Sequence, residues 1–326
     1  MKNMMLIKKI FQLGLLSLGM GLSSMLMAGE NPTVAITQIV DHPVLTQAYH
    51  GTVAGLKENG YIEGKNLHII YENAQGDTQR AERIARDFVA LKPDVMVAIS
   101  TPSAQVLMHA DRTAEIPLVF SAVTDPLSAK LVPTLKQPGG FVTGVYDMPP
   151  VAAKVKIMRE LLPQLKTLGV LYNPDEINSV HMIDELKTAG YFLKIIEAPV
   201  KSDTDITVST KTLLGKVDAI YVPADNTVVA QIDKVLALTM ENKIPLFASE
   251  HGSVEKGALV ALAYDQYEVG RATGAIVAQI LGGKRPGDID VVKLSHPDLY
   301  INTATAQKLN IQIPDKMIKS AAKLVN

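Results

Sequence analysis

At 326 residues the chain is too long for one ordinary domain and fits two. Its 32 basic residues nearly cancel its 33 acidic ones, so charge gives no reason to expect nucleic acid or an anionic membrane as partner. Aromatic residues make up only 5% and Trp is absent, so burial must come from Val, Ile, Leu and Ala, the usual filling of a parallel sheet covered by helices.

The first residues differ from the rest. Lys2, Lys8 and Lys9 precede an apolar stretch at 10–27 that has no acidic residue, and the small Ala28 follows. That order reads as a cleaved secretory signal peptide, residues 1–28. The alternative is an uncleaved anchor, because the stretch approaches spanning length. The chain has no Cys, which excludes a lipidated N-terminal cysteine and any disulfide. A freely diffusing periplasmic protein is expected, and not a lipoprotein.

Strands are predicted at 33–39, 67–71, 95–99, 117–121 and 142–146, and helices at 44–59, 78–91, 102–111 and, more weakly, 127–135. Pro149-Pro150 interrupts the alternation, which then restarts. A helix at 152–162 leads to strands at 167–172, 192–197, 219–222, 245–248 and 258–263, with helices at 178–189, 206–214 and 227–241 between them. An amphipathic helix at 267–281 stops at Gly282-Gly283. A β-like stretch at 289–294 and a short helical tail after Pro314 complete the chain.

Strand, helix, strand at this spacing implies right-handed parallel crossovers. The fold expected is α/β, two doubly wound parallel-sheet lobes joined by a hinge of several crossings. Lobe one takes 29–147 with about 267–294, and lobe two takes 148–266 with about 295–326.

Ligands of open α/β sheets sit beyond the carboxyl ends of the strands. There this sequence places polar strings: Gln38 to Pro43, Ser100 to Ala104 and Ser121 to Pro126 in lobe one, then Asn173 to Ser179, Pro223 to Thr227 and Ser249 to Gly252 in lobe two. Helix-start N–H groups with the hydroxyls of Ser103 or Thr124 suit a carboxylate. Asp225 or Glu250, from the other lobe, suits an ammonium group. Taken singly each is an ordinary helix cap; the constellation is what points to a zwitterion.

Catalytic motifs are missing. There is no G-x-G-x-x-G after the first strand, no G-x-x-x-x-G-K-[ST] and no G-x-S-x-G, and the seven His residues lack metal-ligand spacing. No catalytic residue, metal or cofactor is therefore expected. His42 reads as a polar pocket wall or a structural donor.

The strings QIVDHPVL, GLKENGYIEGKNLHIIYENAQGD, AISTPSAQVL, FSAVTDPLSAKLV, LYNPDEINS, YVPADNTV and YINTATAQKLNIQIPDKMI run in order over the mature chain. In them the chain resembles the periplasmic substrate-binding proteins of ABC transporters, in particular tryptophan- and tyrosine-binding receptors. The resemblance implies a type I periplasmic-binding-protein fold with three hinge crossings and closure on ligand. It implies a pocket at His42, Thr101, Ser103, Ala122, Thr124, Asn173, Asp225, Asn226 and Glu250. It also implies an aromatic amino acid as ligand, an ABC permease as partner and a monomer in solution.

An aromatic guest is best served by a ring to stack on, and Tyr146 and Tyr264, near two crossings, are the candidates. The rival readings are a ligand sensor for a membrane signalling protein and an exported two-domain hydrolase. The hydrolase needs a tuned acid/base pair, and none stands out.

Overall fold

The computed structural model describes residues 31–111 and 113–326, so the expected signal peptide lies outside the described residues. The first lobe is built from β1 (Thr33–Gln38), α1 (Pro43–Glu58), β2 (His68–Asn73), α2 (Thr78–Leu91), β3 (Val95–Ile99), α3 (Thr101–Ala110), β4 (Leu118–Val123) and β5 (Val142–Tyr146). Its interior strands are continuous apolar runs: β3, VMVAI, is buried at every position. Such a run is what a strand covered on both faces requires.

The second lobe comprises α4 (Val151–Leu161), β6 (Thr167–Tyr172), α5 (Ile177–Ala189), β7 (Lys194–Pro199), α6 (Ile206–Leu213), β8 (Ala219–Tyr221), α7 (Asn226–Val229), α8 (Ile232–Glu241), β9 (Leu246–Ala248), α9 (His251–Lys256) and β10 (Val260–Ala263). The chain then forms α10 (Gln266–Leu281), β11 (Val292–Lys293), β12 (Asp298–Asn302), α11 (Thr303–Lys308), α12 (Asp315–Ser320) and β13 (Lys323–Val325).

Two sheets result. The first has the order β11-β5-β4-β3-β1-β2, with every pairing parallel. The second has the order β13-β12-β10-β9-β8-β6-β7, in which β12 runs antiparallel to β10. Both are doubly wound, because each sheet starts one strand from an edge, places its second strand (β2 or β7) outside that, and then extends the other way. The chain passes between the sheets three times: after β5, between β10 and α10, and between β11 and β12.

The second passage is anchored by glycine. Helix α10 lies against α1, and a Cβ on Gly51 or Gly55 of α1 would collide with the backbone of Tyr267 or Arg271. A Cβ on Gly270 or Gly274 of α10 would collide with Ala48 or Thr52 in the same way. Only residues without side chains let two helix backbones approach this closely.

Three expectations from the sequence change. The helix-like stretch 127–135 is a series of turns and bends. Pro133 cannot donate within a helix, and Lys130 adopts φ 57°, a left-handed conformation that ends one. The single helix at 227–241 is divided into α7 and α8, with Gln231 out of helical geometry between them (φ -118°, ψ 22°). The second sheet is also not wholly parallel, because β12 and β13 add an antiparallel edge. Both strands are short, five and three residues, which hides any periodicity.

Candidate functional site

A cleft opens where the carboxyl ends of the two sheets face each other. Lobe one contributes His42, Val44 and Leu45 after β1, Ser100 and Thr101 after β3, and Ala122 and Thr124 at the end of β4. Lobe two contributes Asn178 of α5, then Ala224, Asp225, Asn226 and Val229 around α7, then Ser249 and Glu250 after β9. Asp147 and Gln266, at the first two passages between the sheets, close the back. The cavity is narrow, about 50 Å³.

Two lining residues hold backbone conformations that L-residues seldom adopt. Ser100 has φ 91° and Ala122 has φ 53°. Ala122 sits where the pairing of β4 with β5 shifts register, between Phe120 and Val123. Strain of this kind clusters where a site needs a particular backbone direction. At Ser100 it turns the chain from β3 straight into α3, whose second residue is Pro102.

The cleft also gathers unpaired polar atoms. His42 Nδ1, Thr101 Oγ1, Asn178 Oδ1 and Gln266 Oε1 are buried without a hydrogen-bond partner, and all four residues line it. Such atoms are uncommon in folded proteins, so four at one place mark a seat for a polar guest.

The two amides are oriented by their own donors. Asn178 Nδ2 donates to the Ala224 carbonyl at 2.6 Å and to Glu176 Oε2 at 3.1 Å. Gln266 Nε2 donates to Asp147 Oδ2 at 2.7 Å. Each therefore keeps its oxygen free as an acceptor.

Charge in the cleft is acidic. Asp147, Asp225 and Glu250 line it, and no Lys or Arg does. Burial pushes all three carboxyls above their ordinary range; at Asp225 the neighbouring Glu176 adds to the effect. Burial, with a smaller contribution from Lys256, holds His42 down at about 4, so its ring is neutral near pH 7.

The carboxylates differ in how much of their acceptor capacity the protein already uses. Asp225 caps α7 by accepting from Val228 N at 2.8 Å, and its Oδ2 accepts from Asn173 N and Ser179 Oγ, both at 2.6 Å. Glu250 caps α9, taking Ser253 N on both oxygens at 2.9 and 3.0 Å. Glu176 accepts from the N–H groups of Asn226 and Thr227, both at 2.9 Å, and from both their side chains. These bonds tie the 173–179 loop to the start of α7. Across the mouth, His181 Nε2 of α5 meets Asp125 Oδ2 of lobe one at 3.0 Å.

Seven of the eleven residues singled out from sequence line the cleft: His42, Thr101, Ala122, Thr124, Asp225, Asn226 and Glu250. Ser103 lies behind it, buried, with Ser100 Oγ 3.5 Å away. Asn173 is held by Asp225 and by Thr227 Oγ1 at 2.9 Å. Tyr146 and Tyr264 stand outside the lining. Their rings flank Lys293 Nζ, with centroids at 5.2 and 5.8 Å. Segments from the three inter-sheet passages meet in this contact.

The sequence reading did not single out Asp147, Gln266, Asn178 or Ser249 as site residues. The first two stand at the lobe boundaries drawn from sequence, but that they line the cleft follows only from the assembled lobes. It also passed over the buried charges behind the wall, Lys154 and Glu176. Lys154 did leave a signal, because it falls on the apolar stripe of α4 with Val151, Val155, Met158 and Leu161.

Residues 33–325 match the family model described as ABC transporter substrate binding protein. The chain is 38% identical over 287 residues to the tyrosine-binding protein of Clostridioides difficile (strain R20291), covering 87% of this chain and 82% of the relative. It is similar to the solved ABC domain in complex with L-Trp from Streptococcus pneumonia, with TM-score 0.87 and 36% identity over 90% of this chain and 100% of that one. It is also similar to the ligand-free, open structure of a substrate-binding protein with adhesive properties from Clostridium difficile, with TM-score 0.68 and 35% identity over 90% and 99% of the two chains. The likeness in TM-score is greater to the chain solved with L-Trp than to the ligand-free, open one.

Proposed function

This chain belongs to the ABC transporter substrate-binding protein family, and from that premise we propose that it closes its two lobes on a free amino acid, an aromatic one by preference, and delivers it to an ABC permease. Family membership makes it a periplasmic solute receptor whose role is transport rather than catalysis. The finer reading rests on one observation: the unpaired polar atoms and the acidic charge converge on a cleft shared by both lobes.

The guest's carboxylate has a seat at the start of α3. The first N–H groups of a helix have no intrahelical partner, and Thr101 Oγ1 stands free beside them. The ammonium has acceptors on the opposite side and at the back: Asn178 Oδ1, Gln266 Oε1 and the charge of Asp147 and Glu250. Asp225, already accepting three bonds, serves mainly to hold the loop and helix in place. A guest bound from both lobes favours closure because only the closed form offers both sets of contacts.

The aromatic preference is drawn from the tyrosine-binding relative and the L-Trp complex. Among the described residues no Phe or Tyr lines the cleft, so the side chain would rest on Val44, Leu45 and Val229. An apolar cavity of about 150 Å³ takes up benzene, so a cleft of about 50 Å³ must widen about threefold to hold a ring. The same narrowness favours a second reading, a small aliphatic amino acid.

Thermal-shift measurements on the mature protein against tyrosine, tryptophan, phenylalanine, glycine, alanine and serine separate these readings. A guest at a hundred times its Kd adds about 2.7 kcal/mol of stability. Stabilisation by none of the six would refute the amino-acid reading.

A further inference from the structure

Helix α5 turns one face towards lobe one. Ile177 and His181 are four residues apart on it, so they share that face. Ile177 packs against the apolar core of lobe one, and His181 brings its Nε2 to 3.0 Å from Asp125 Oδ2. The contact is sheltered, with the two side chains 24% and 25% exposed. An ionised carboxylate can only accept, so at this distance Nε2 carries the proton.

Asp125 is held ready from its own side. Its Oδ1 accepts from Leu127 N at 2.7 Å and from Ser128 N at 3.1 Å, which fixes the carboxylate and leaves Oδ2 to face α5. Every other ion pair among the described residues joins groups within one lobe. The Gln266–Asp147 hydrogen bond lies at the passages themselves, where the chain already ties the lobes together. Neither His181 nor Asp125 belongs to the cleft lining, so the pair joins the lobes without touching a guest.

We propose that His181 and Asp125 form a latch that holds the lobes together over a bound guest and so sets how long the guest stays. A contact made only when the lobes are together stabilises the closed form alone. Its effect falls on release more than on entry. His181 is thus a positioning residue for closure. The proposal rests on the reading above that the lobes close on a guest, and it is indifferent to which guest that is.

The test is a double-mutant cycle in the mature protein. His181→Phe keeps a ring and removes the donor. Asp125→Ser leaves a hydroxyl that can still accept from Leu127 N or Ser128 N but is too short to reach His181. Stopped-flow titration with L-tyrosine and with L-tryptophan gives Kd and both rate constants. A sheltered pair belongs at the top of the range for surface ion pairs, so each single substitution should raise Kd about three- to fivefold. The factor should be the same for both probes and should reside in the dissociation rate.

The double variant should lose no more than either single one, because the second change removes a group whose partner is already gone. His181→Gln, which can still donate, should recover part of the loss. Additive losses, a loss confined to one probe, or Kd values within about 1.5-fold of the parent's would overturn the latch. If the unaltered protein binds neither probe, the guest reading falls, and small-angle scattering of the guest-free proteins judges the latch instead. The variants should then have a larger radius of gyration than the parent, and equal radii would overturn it.

Discussion

Replacing Thr101 by Val tests whether the cleft's unpaired atoms belong to a guest. The side chain is 2% exposed and its hydroxyl has no partner in the protein. Val keeps the shape and removes only the hydroxyl. A buried polar group without a partner costs about 1–3 kcal/mol. Water entering the open cleft lowers that cost, so stability should hold or rise by up to about 1 kcal/mol. Binding should move the other way, because a hydrogen bond to a charged group contributes about 1.5–3 kcal/mol. That is about 10- to 150-fold in Kd.

Denaturant unfolding without ligand gives the first number and titration calorimetry with the best guest from the thermal screen gives the second. Opposite signs are the signature. If Thr101→Val lost more than about 1 kcal/mol of stability and bound as before, the hydroxyl would be serving the fold, and inferring a binding site from unpaired atoms would fail here.

Asp225→Ala should behave differently: it removes a helix cap and strips the acceptor from Asn173 N and Ser179 Oγ. A loss of about 2–4 kcal/mol is expected in urea unfolding, and a variant that stayed as stable as the parent would contradict the structural role. Gly270→Ala forces a Cβ into the Ala48 carbonyl, at a cost of about 1–3 kcal/mol from overpacking; a change within 0.5 kcal/mol would show that α1 and α10 part easily.

Burial holds His42 down at about 4, against about 6.5 for a free imidazole. The unfolded chain therefore binds the extra proton first. The neutral ring's share of stability is complete above about pH 6.5 and is lost as pH falls towards 4, up to about 3 kcal/mol. Subtracting the pH–stability curve of His42→Gln should isolate that slope, and parallel curves would exclude it.

Much of the lobe architecture was legible because its signals are local. The strands 95–99, 142–146 and 167–172 were read to the residue from apolar β-rich runs, as was the helix 78–91 from its periodicity. Errors fell where local chemistry is silent or misleading: Lys130 turning left-handed in a stretch with helical spacing, and β12, whose partner β10 lies on the far side of α10 in the chain. The polar loops after the strands were legible as a group, since strand ends face the cleft in any sheet of this winding.

Which atoms those loops leave free could not be read, because it depends on partners distant in sequence. Asp225 looked like an ammonium acceptor until the fold brought Asn173 and Ser179 onto it, and Gln266 acquired a role only through Asp147, 119 positions earlier. Tyr146 and Tyr264 stand near passages between the sheets, and only the meeting of the three segments puts Lys293 against their rings. By itself the sequence determined the two wound sheets and the polarity of the rims, because short-range sterics and apolar periodicity settle those. The tertiary structure decided which rim atoms are spent on the protein and which remain for a guest, because hydrogen-bond partners are allotted only once the chain has closed on itself.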